Sequence, residues 1–219
     1  ASRYLPSFHL SGDFYACRES PDGAAVFLVA DVVGHGVRAA MITAMIQIAV
    51  QQLDALTDDP AAFMRELNSA IHRSVRPLDE AVFATAIFAR LDLQDLSLQF
   101  VQAGARHGIH LPAGDAASPR LLPTDSIGPA LGLLPEATYE SEHQAMQPGD
   151  RLLFYTDGLV EACDDEDNEF GERRLLENLA GPAEDSWQVC FDHLMAEVNT
   201  FTSGRDLHDD VCLLGVRVP

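Results

Sequence analysis

Two long strand-like runs, AVFATAIFARLDL at 81–93 and LSLQFVQAG at 96–104, are joined by nothing longer than a QD turn. The same design occurs upstream. SFHLSGDFYACRE at 7–19 and AAVFLVADVV at 24–33 flank SPDG, whose proline, aspartate and glycine are turn chemistry, so the two runs form an antiparallel hairpin. Helical patterns fall in two separate blocks. The first holds a helix at 36–56 and a second, PAAFMRELNSAIHRSV, that starts behind DDP. In that second helix Asp58 or Asp59 is the cap, Pro60 sits in the first turn, and Phe63, Leu67, Ala70, Ile71 and Val75 share one stripe. The second block covers 172–180 and 184–201. Between the blocks lie shorter strands near 107–111, 119–123 and 137–145, the Gly/Pro/Ala-rich loops LPAGDAASP and SIGPALGLLPEA, and the strand RLLFYTDG at 151–158; VCLLGVRV at 211–218 closes the chain. A doubly wound parallel fold alternates strand and helix regularly, and this chain does not. The expectation is an α+β fold of antiparallel sheets covered by helices. With no internal repeat and no evident boundary, residues 1–219 read as a single domain.

Charge narrows the choice of partner. The 34 acidic and 14 basic residues leave a formal charge of −20, which repels phosphate backbones and anionic lipid, so nucleic acid and direct membrane insertion are disfavoured. Clustered carboxylates on such a chain can still concentrate divalent cations. A hydrophobic share of 47% supplies a core. The four cysteines, Cys17, Cys163, Cys190 and Cys212, form no CxxC pair and read as reduced thiols of a cytoplasmic protein. The segment 37–56 is apolar enough to suggest a membrane span. Its stripe of Thr43, Gln47 and Gln51, flanked by Arg38 and Asp54, fits a largely buried soluble helix better. The N-terminal ASRYLPSFHL has no leader pattern and begins abruptly near a strand, from which an excised domain is expected.

Four places put an aspartate at the margin of an apolar strand: Asp13 in SGDFY, Asp31 in LVADVVGHG, Asp157 in FYTDG, and Asp209 with Asp210 in LHDDVCLL. An isolated ionised carboxylate is costly in such a place. A divalent metal held by several would neutralise and fix them. Oxygen donors without cysteine select hard cations, Mg²⁺ or Mn²⁺ rather than zinc. Taken singly, each aspartate also fits a turn cap or an arginine partner. The four together, with Gly34 and Gly36 permitting close backbone approach, favour metal.

SGDFY, ADVVGHG, FYTDGLVEA with EFGERRL, and HDDVCLLGVRV occur in the order seen in the metal-dependent protein phosphatase (PPM, type 2C-like) family. LGLLPEATYE and ATAIFARLDL resemble its bacterial SpoIIE/RsbU-like branch. The resemblance spans nearly the whole chain. It implies a four-layer α-β-β-α sandwich with a two-metal centre at one edge. By motif, Asp13 and Asp31 are the catalytic metal ligands, with Asp31 bridging. The Val32 carbonyl, Asp157 and Asp209 complete the set, and Asp210 is a neighbour or alternative ligand. Gly34, His35, Gly36 and Arg106 lie where a supporting or phosphate contact is expected. Two ions about 3.5–4 Å apart lower the pKa of a shared water and clamp an in-line displacement at phosphorus.

The implied activity is Mg²⁺- or Mn²⁺-dependent hydrolysis of phosphoserine or phosphothreonine in stress-response signalling. The implied partner is a small anti-sigma-factor-antagonist-like phosphoprotein. An upstream sensor or receiver domain is expected in the full-length chain, with a membrane-anchored parent and a homodimer left open. Two other readings stand beside it: a weak or inactive phosphatase-fold binding module, and a hydrolase of small phosphoesters. The chain departs from the branch at two points. DVVGHG replaces DVSGHG, and QAGARHG at 102–108 replaces the NAGH segment, with Gln102 for the asparagine and Ala105 at the histidine position. Arg106, His107 and His110 could meet a phosphate, but a lone basic cluster in a loop is more often solvated surface. CDDEDNEFGE fails the calcium-loop template at Phe170 and Leu176 and reads as a solvated acidic loop.

Overall fold

The structure, a computed structural model, describes residues 1–7, 11–34, 36–75, 82–114, 118–180 and 186–219. Its strands are β1 Ser2–Leu5, β2 Asp13–Glu19, β3 Ala25–Val32, β4 Ala84–Asp92, β5 Ser97–Ala103, β6 Ile109–Leu111, β7 Arg120–Leu121, β8 Glu142–Ala145, β9 Arg151–Tyr155 and β10 Val211–Arg217. Its helices are α1 Val37–Gln52, α2 Pro60–Val75, α3 Gly171–Leu179 and α4 Trp187–Phe201. The strands make two five-stranded sheets, ordered β1-β10-β9-β6-β7 and β2-β3-β4-β5-β8, with antiparallel neighbours throughout.

Strand β3 shows why the layers stack. Its side chains alternate between two faces. Val26, Leu28, Ala30 and Val32 pack with Ile42, Ile46, Phe63 and Leu67 of α1 and α2. Phe27 and Val29 point the other way, into a core shared with Leu152, Phe154, Cys212 and Leu214 of the opposite sheet. The outer face of that sheet is covered by α3 and α4 through Leu175, Phe191, Leu194 and Val198. The result is the expected α-β-β-α sandwich. Buried on both faces, β3 reads as a continuous apolar run rather than an alternating one.

Several local features differ from the sequence reading. The strand predicted at 7–19 starts only at Asp13, and residues 8–10 lie outside those described. Strand β1 pairs with β10 and has no strong sequence signal of its own. Asp59 is the cap of α2: its carboxylate accepts from the Ala62 N–H at 2.9 Å. Helix α1 buries only the stripe of Ala39, Ile42, Ile46 and Val50, leaving Val37, Met41 and Ile48 exposed, so it is less covered than its composition suggests. Among the described residues no helix is long and apolar enough to cross a membrane. Asn68 on α2 pins the loop before β8, accepting from the Gly132 N–H at 2.7 Å and donating to the Leu134 carbonyl at 2.9 Å.

Candidate metal centre

Strand register brings the first two acids together. Asp13 opens β2 and Asp31 sits near the end of β3, directly opposite one another in the antiparallel pair. The alternation that sends Phe27 and Val29 between the sheets sends Asp31 the same way, at the open end of the sandwich. The second sheet supplies the rest. Asp157 follows β9 in a short helical turn, and Asp209 and Asp210 precede β10, the neighbour of β9.

A buried hydroxyl joins the two sheets at this point. Thr156 Oγ1 donates to Asp13 Oδ2 at 2.7 Å and accepts from the Cys212 N–H at 2.9 Å. Asp210 has a different task from its neighbour. Its carboxylate accepts from the Ser7 N–H, the Ser7 hydroxyl and the Gly12 N–H, tying the approach to β2 onto β10. Burial pushes its pKa up, but hydrogen bonds from Ser11, Ser7 and Gly12 outweigh that and hold it below the usual carboxylate range. Asp210 is therefore a fastener of the site.

Two glycines allow the close approach. A Cβ on Gly12 would lie 2.5 Å from the Val32 carbonyl oxygen, and one on Gly158 would lie 2.1 Å from the Asp210 carbonyl oxygen. Any side chain at either position would push apart the segments that carry the acids. Thr43 of α1 also donates to the Gly12 carbonyl, at 2.9 Å. Gly34 and Gly36 have left-handed φ of 90° and 83° and turn the chain from β3 into α1. His35, between them, lies outside the described residues.

The electrostatics are those of a site short of positive charge. Burial, followed by the charge of Asp31, raises the pKa of Asp13. Burial, then Asp157 and Asp209, raises that of Asp31. Asp157 is raised by burial, then by Glu161 and Asp209. Among the described residues, no three His, Cys, Asp or Glu side chains are drawn into a cluster of metal-binding spacing. The donor chemistry nevertheless suits a hard divalent cation: carboxylate and carbonyl oxygens, mutually repelling and partly desolvated. Arg106 stands over this end on the β5–β6 loop, paired with Glu161. His110 is elsewhere, buried at the opposite end of β9 against Asp150.

Sequence reasoning singled out the acids and had no reading for Gly12, Thr156 and Glu161. Only the glycines beside Asp13 and Asp157 gave a local signal. Thr156 bonds to a residue 143 positions away, which no local pattern reports.

The fold and this arrangement place the chain in a known class. A profile of the SpoIIE family (Stage II sporulation protein E) matches residues 21–219, and the chain belongs to that family. It is 26% identical over 218 residues to phosphoserine phosphatase RsbU of Bacillus subtilis, covering 97% of this chain and 61% of RsbU. The chain therefore spans about three-fifths of that relative's length. The SiaA PP2C domain of Pseudomonas aeruginosa superposes with a TM-score of 0.87 at 23% identity, covering 100% of this chain and 85% of that one. RsbX in complex with magnesium superposes with a TM-score of 0.66 at 18% identity, covering 98% and 92%. Both structures share the fold.

Proposed function

We propose that this chain is a metal-dependent protein serine/threonine phosphatase acting on a phosphorylated signalling partner. The observation that carries the proposal is the convergence of Asp13, Asp31, Asp157 and Asp209 from both sheets at one end of the sandwich. Membership of the SpoIIE family and likeness to a phosphoserine phosphatase support it. The magnesium complex of a protein with this fold supports a hard divalent ion.

Asp13 and Asp31 would hold metal from one sheet, with the Val32 carbonyl beside them. Asp157 and Asp209 would hold it from the other, and Asp31, on which the charges of both act, would be shared between the two sets. Two Mg²⁺ or Mn²⁺ ions, when bound, activate water and offset the charge gathering on the phosphoryl oxygens. Thr156 fixes the carboxylate of Asp13, and Asp210 fixes the backbone ahead of it. Gly12 keeps the Val32 carbonyl open. The overall change is hydrolysis: the ester P–O bond breaks, a P–O bond to the water oxygen forms, and the serine or threonine hydroxyl leaves with a proton. The substrate is a phosphoprotein of the anti-sigma-antagonist kind, and the natural setting is a longer signalling chain.

The test is hydrolysis of p-nitrophenyl phosphate against Mn²⁺ and Mg²⁺ concentration, with Asp31→Asn and Asp157→Asn, alongside calorimetric Mn²⁺ binding. Metal-dependent turnover lost in both variants, with weakened Mn²⁺ binding, is expected. Folded wild-type protein that neither binds Mn²⁺ nor hydrolyses the ester would refute the assignment.

A further inference from the structure

A small cavity opens between the sheets beside the metal centre, lined among others by Asp31, Thr85, Gly104, Arg106, Thr156 and Asp157. Arg106 is the one basic side chain among the described residues that line it. The other charged side chains among those described lining residues, Asp31 and Asp157, are acidic. The Arg106 guanidinium is bound by Glu161 Oε1 at 2.5 Å, and the charges of Asp157 and Glu172 also act on it. Glu161 is held in place from the other side. Its N–H donates to the Asp157 carbonyl at 2.9 Å, one turn after the proposed ligand. Glu172, in turn, accepts from the Tyr155 hydroxyl at 3.1 Å.

The backbone under Arg106 is fixed too. Gln102, buried at 2% exposure, donates its amide to the Arg106 carbonyl at 3.1 Å. The Gly104 N–H donates to the Gly128 carbonyl at 2.8 Å. The loop is thus hydrogen-bonded where it leaves β5, while the tip of the arginine reaches solvent. The Arg106 and Glu161 side chains are 40% and 44% exposed. A guanidinium that lines a cavity with metal-ligating acids, yet is neutralised by a displaceable carboxylate, has the chemistry of a phosphate receptor kept closed.

We infer that Arg106 binds the phosphoryl group of the substrate and that Glu161 is an internal competitor that the phosphate displaces. This rests on the phosphatase assignment. A phosphate monoester matches the planar guanidinium as well as a carboxylate does and carries more charge, so it can take over the same donors. Glu161 thereby sets a threshold: weak anions do not dislodge it, and a dianionic phosphate seated beside the metal centre does. The pair is a device for affinity and selectivity.

The test uses the whole chain with Mg²⁺, p-nitrophenyl phosphate and a phosphoserine peptide. The variants are Arg106→Ala, Arg106→Lys, Glu161→Gln and the double Arg106→Ala/Glu161→Gln. Arg106→Ala is expected to raise KM about tenfold, more than it lowers kcat, as befits loss of a charge-assisted contact. Lysine should recover part of that loss. Glu161→Gln should lower KM about threefold with Arg106 present and leave it unchanged in the double variant. Equal KM for wild type and Arg106→Ala, or a Glu161→Gln effect that persists without Arg106, would overturn the inference. Binding of inorganic phosphate, followed by calorimetry on the same proteins, separates the two readings. A folded wild type that neither binds Mn²⁺ nor turns over refutes the phosphatase assignment. The receptor then stands only if phosphate binding follows the same order of variants, and falls if it does not.

Discussion

Thr156→Val is the perturbation that best tests how the centre is built. Valine keeps the shape of threonine and removes one hydroxyl from a residue that is only 4% exposed. That hydroxyl holds two partners, Asp13 Oδ2 at 2.7 Å and the Cys212 N–H at 2.9 Å. Both Asp13 and Cys212 are buried, so water cannot replace it. Orphaning a buried polar group costs about 1–3 kcal/mol, which for two groups gives about 2–6 kcal/mol. In a domain of this size each kcal/mol lowers Tm by about 2–4 °C, so a fall of roughly 4–24 °C is expected. Thr156→Ser is the control. It retains the hydroxyl and gives up one buried methyl group, about 0.8 kcal/mol. Thermal melts of the three proteins without metal, followed by circular dichroism, are the assay. Calorimetric Mn²⁺ affinity should fall about 10–100-fold in the valine variant, because the orientation of Asp13 is lost. A valine variant that melts no lower than the serine variant would refute the claim that this hydroxyl joins the sheets.

Other expectations follow from the same geometry. Gly158→Ala places a methyl 2.1 Å from the Asp210 carbonyl oxygen and should cost more than about 2 kcal/mol; a melt matching wild type would show that the contact is slack. Asn68→Ala leaves the Gly132 N–H and the Leu134 carbonyl unserved and should cost about 2–4 kcal/mol, read from the urea midpoint. Asp150 has its pKa raised by burial but lowered further by hydrogen bonds from Ala113, Gln147 and His110, so the net shift is downward. A depressed carboxylate contributes stability above its unfolded pKa of about 3.9 and loses it as pH falls through the folded value. The stability gap between wild type and Asp150→Asn should therefore be constant near neutrality and narrow below about pH 4. A gap that widens on acidification would contradict the sign.

What the sequence disclosed follows from the range of the interactions involved. The layers were legible because β3 opens with a continuous apolar run, β4 is mostly apolar, and the α2 stripe repeats at helical spacing. The acids were legible because an aspartate beside buried residues conflicts with its surroundings unless something neutralises it. Strand β1 was not, since four residues of mixed polarity gain their strand character only by pairing with β10. Nor were the supports of the centre. Asp210 read in HDDV as a neighbour or alternative ligand, and no local pattern reported that its carboxylate is taken up by Ser7 and Gly12, about two hundred positions earlier. Arg106 stood out as a basic residue in a loop, yet nothing near it in the chain named Glu161 as its partner, 55 positions away.

The fastening of Asp210 to Ser7 and Gly12 bears on timing. The residues that shape the centre come from opposite ends of the described chain, and β1 is completed only by β10. Contacts of such long separation form late in folding, after the loop-closure entropy of the intervening chain has been met. The hairpin of β2 and β3 can form early, but it presents Asp13 and Asp31 without their counterparts. During synthesis, the acids of the proposed centre therefore cannot come together until β10 has emerged, and the proposed activity has to wait for that strand.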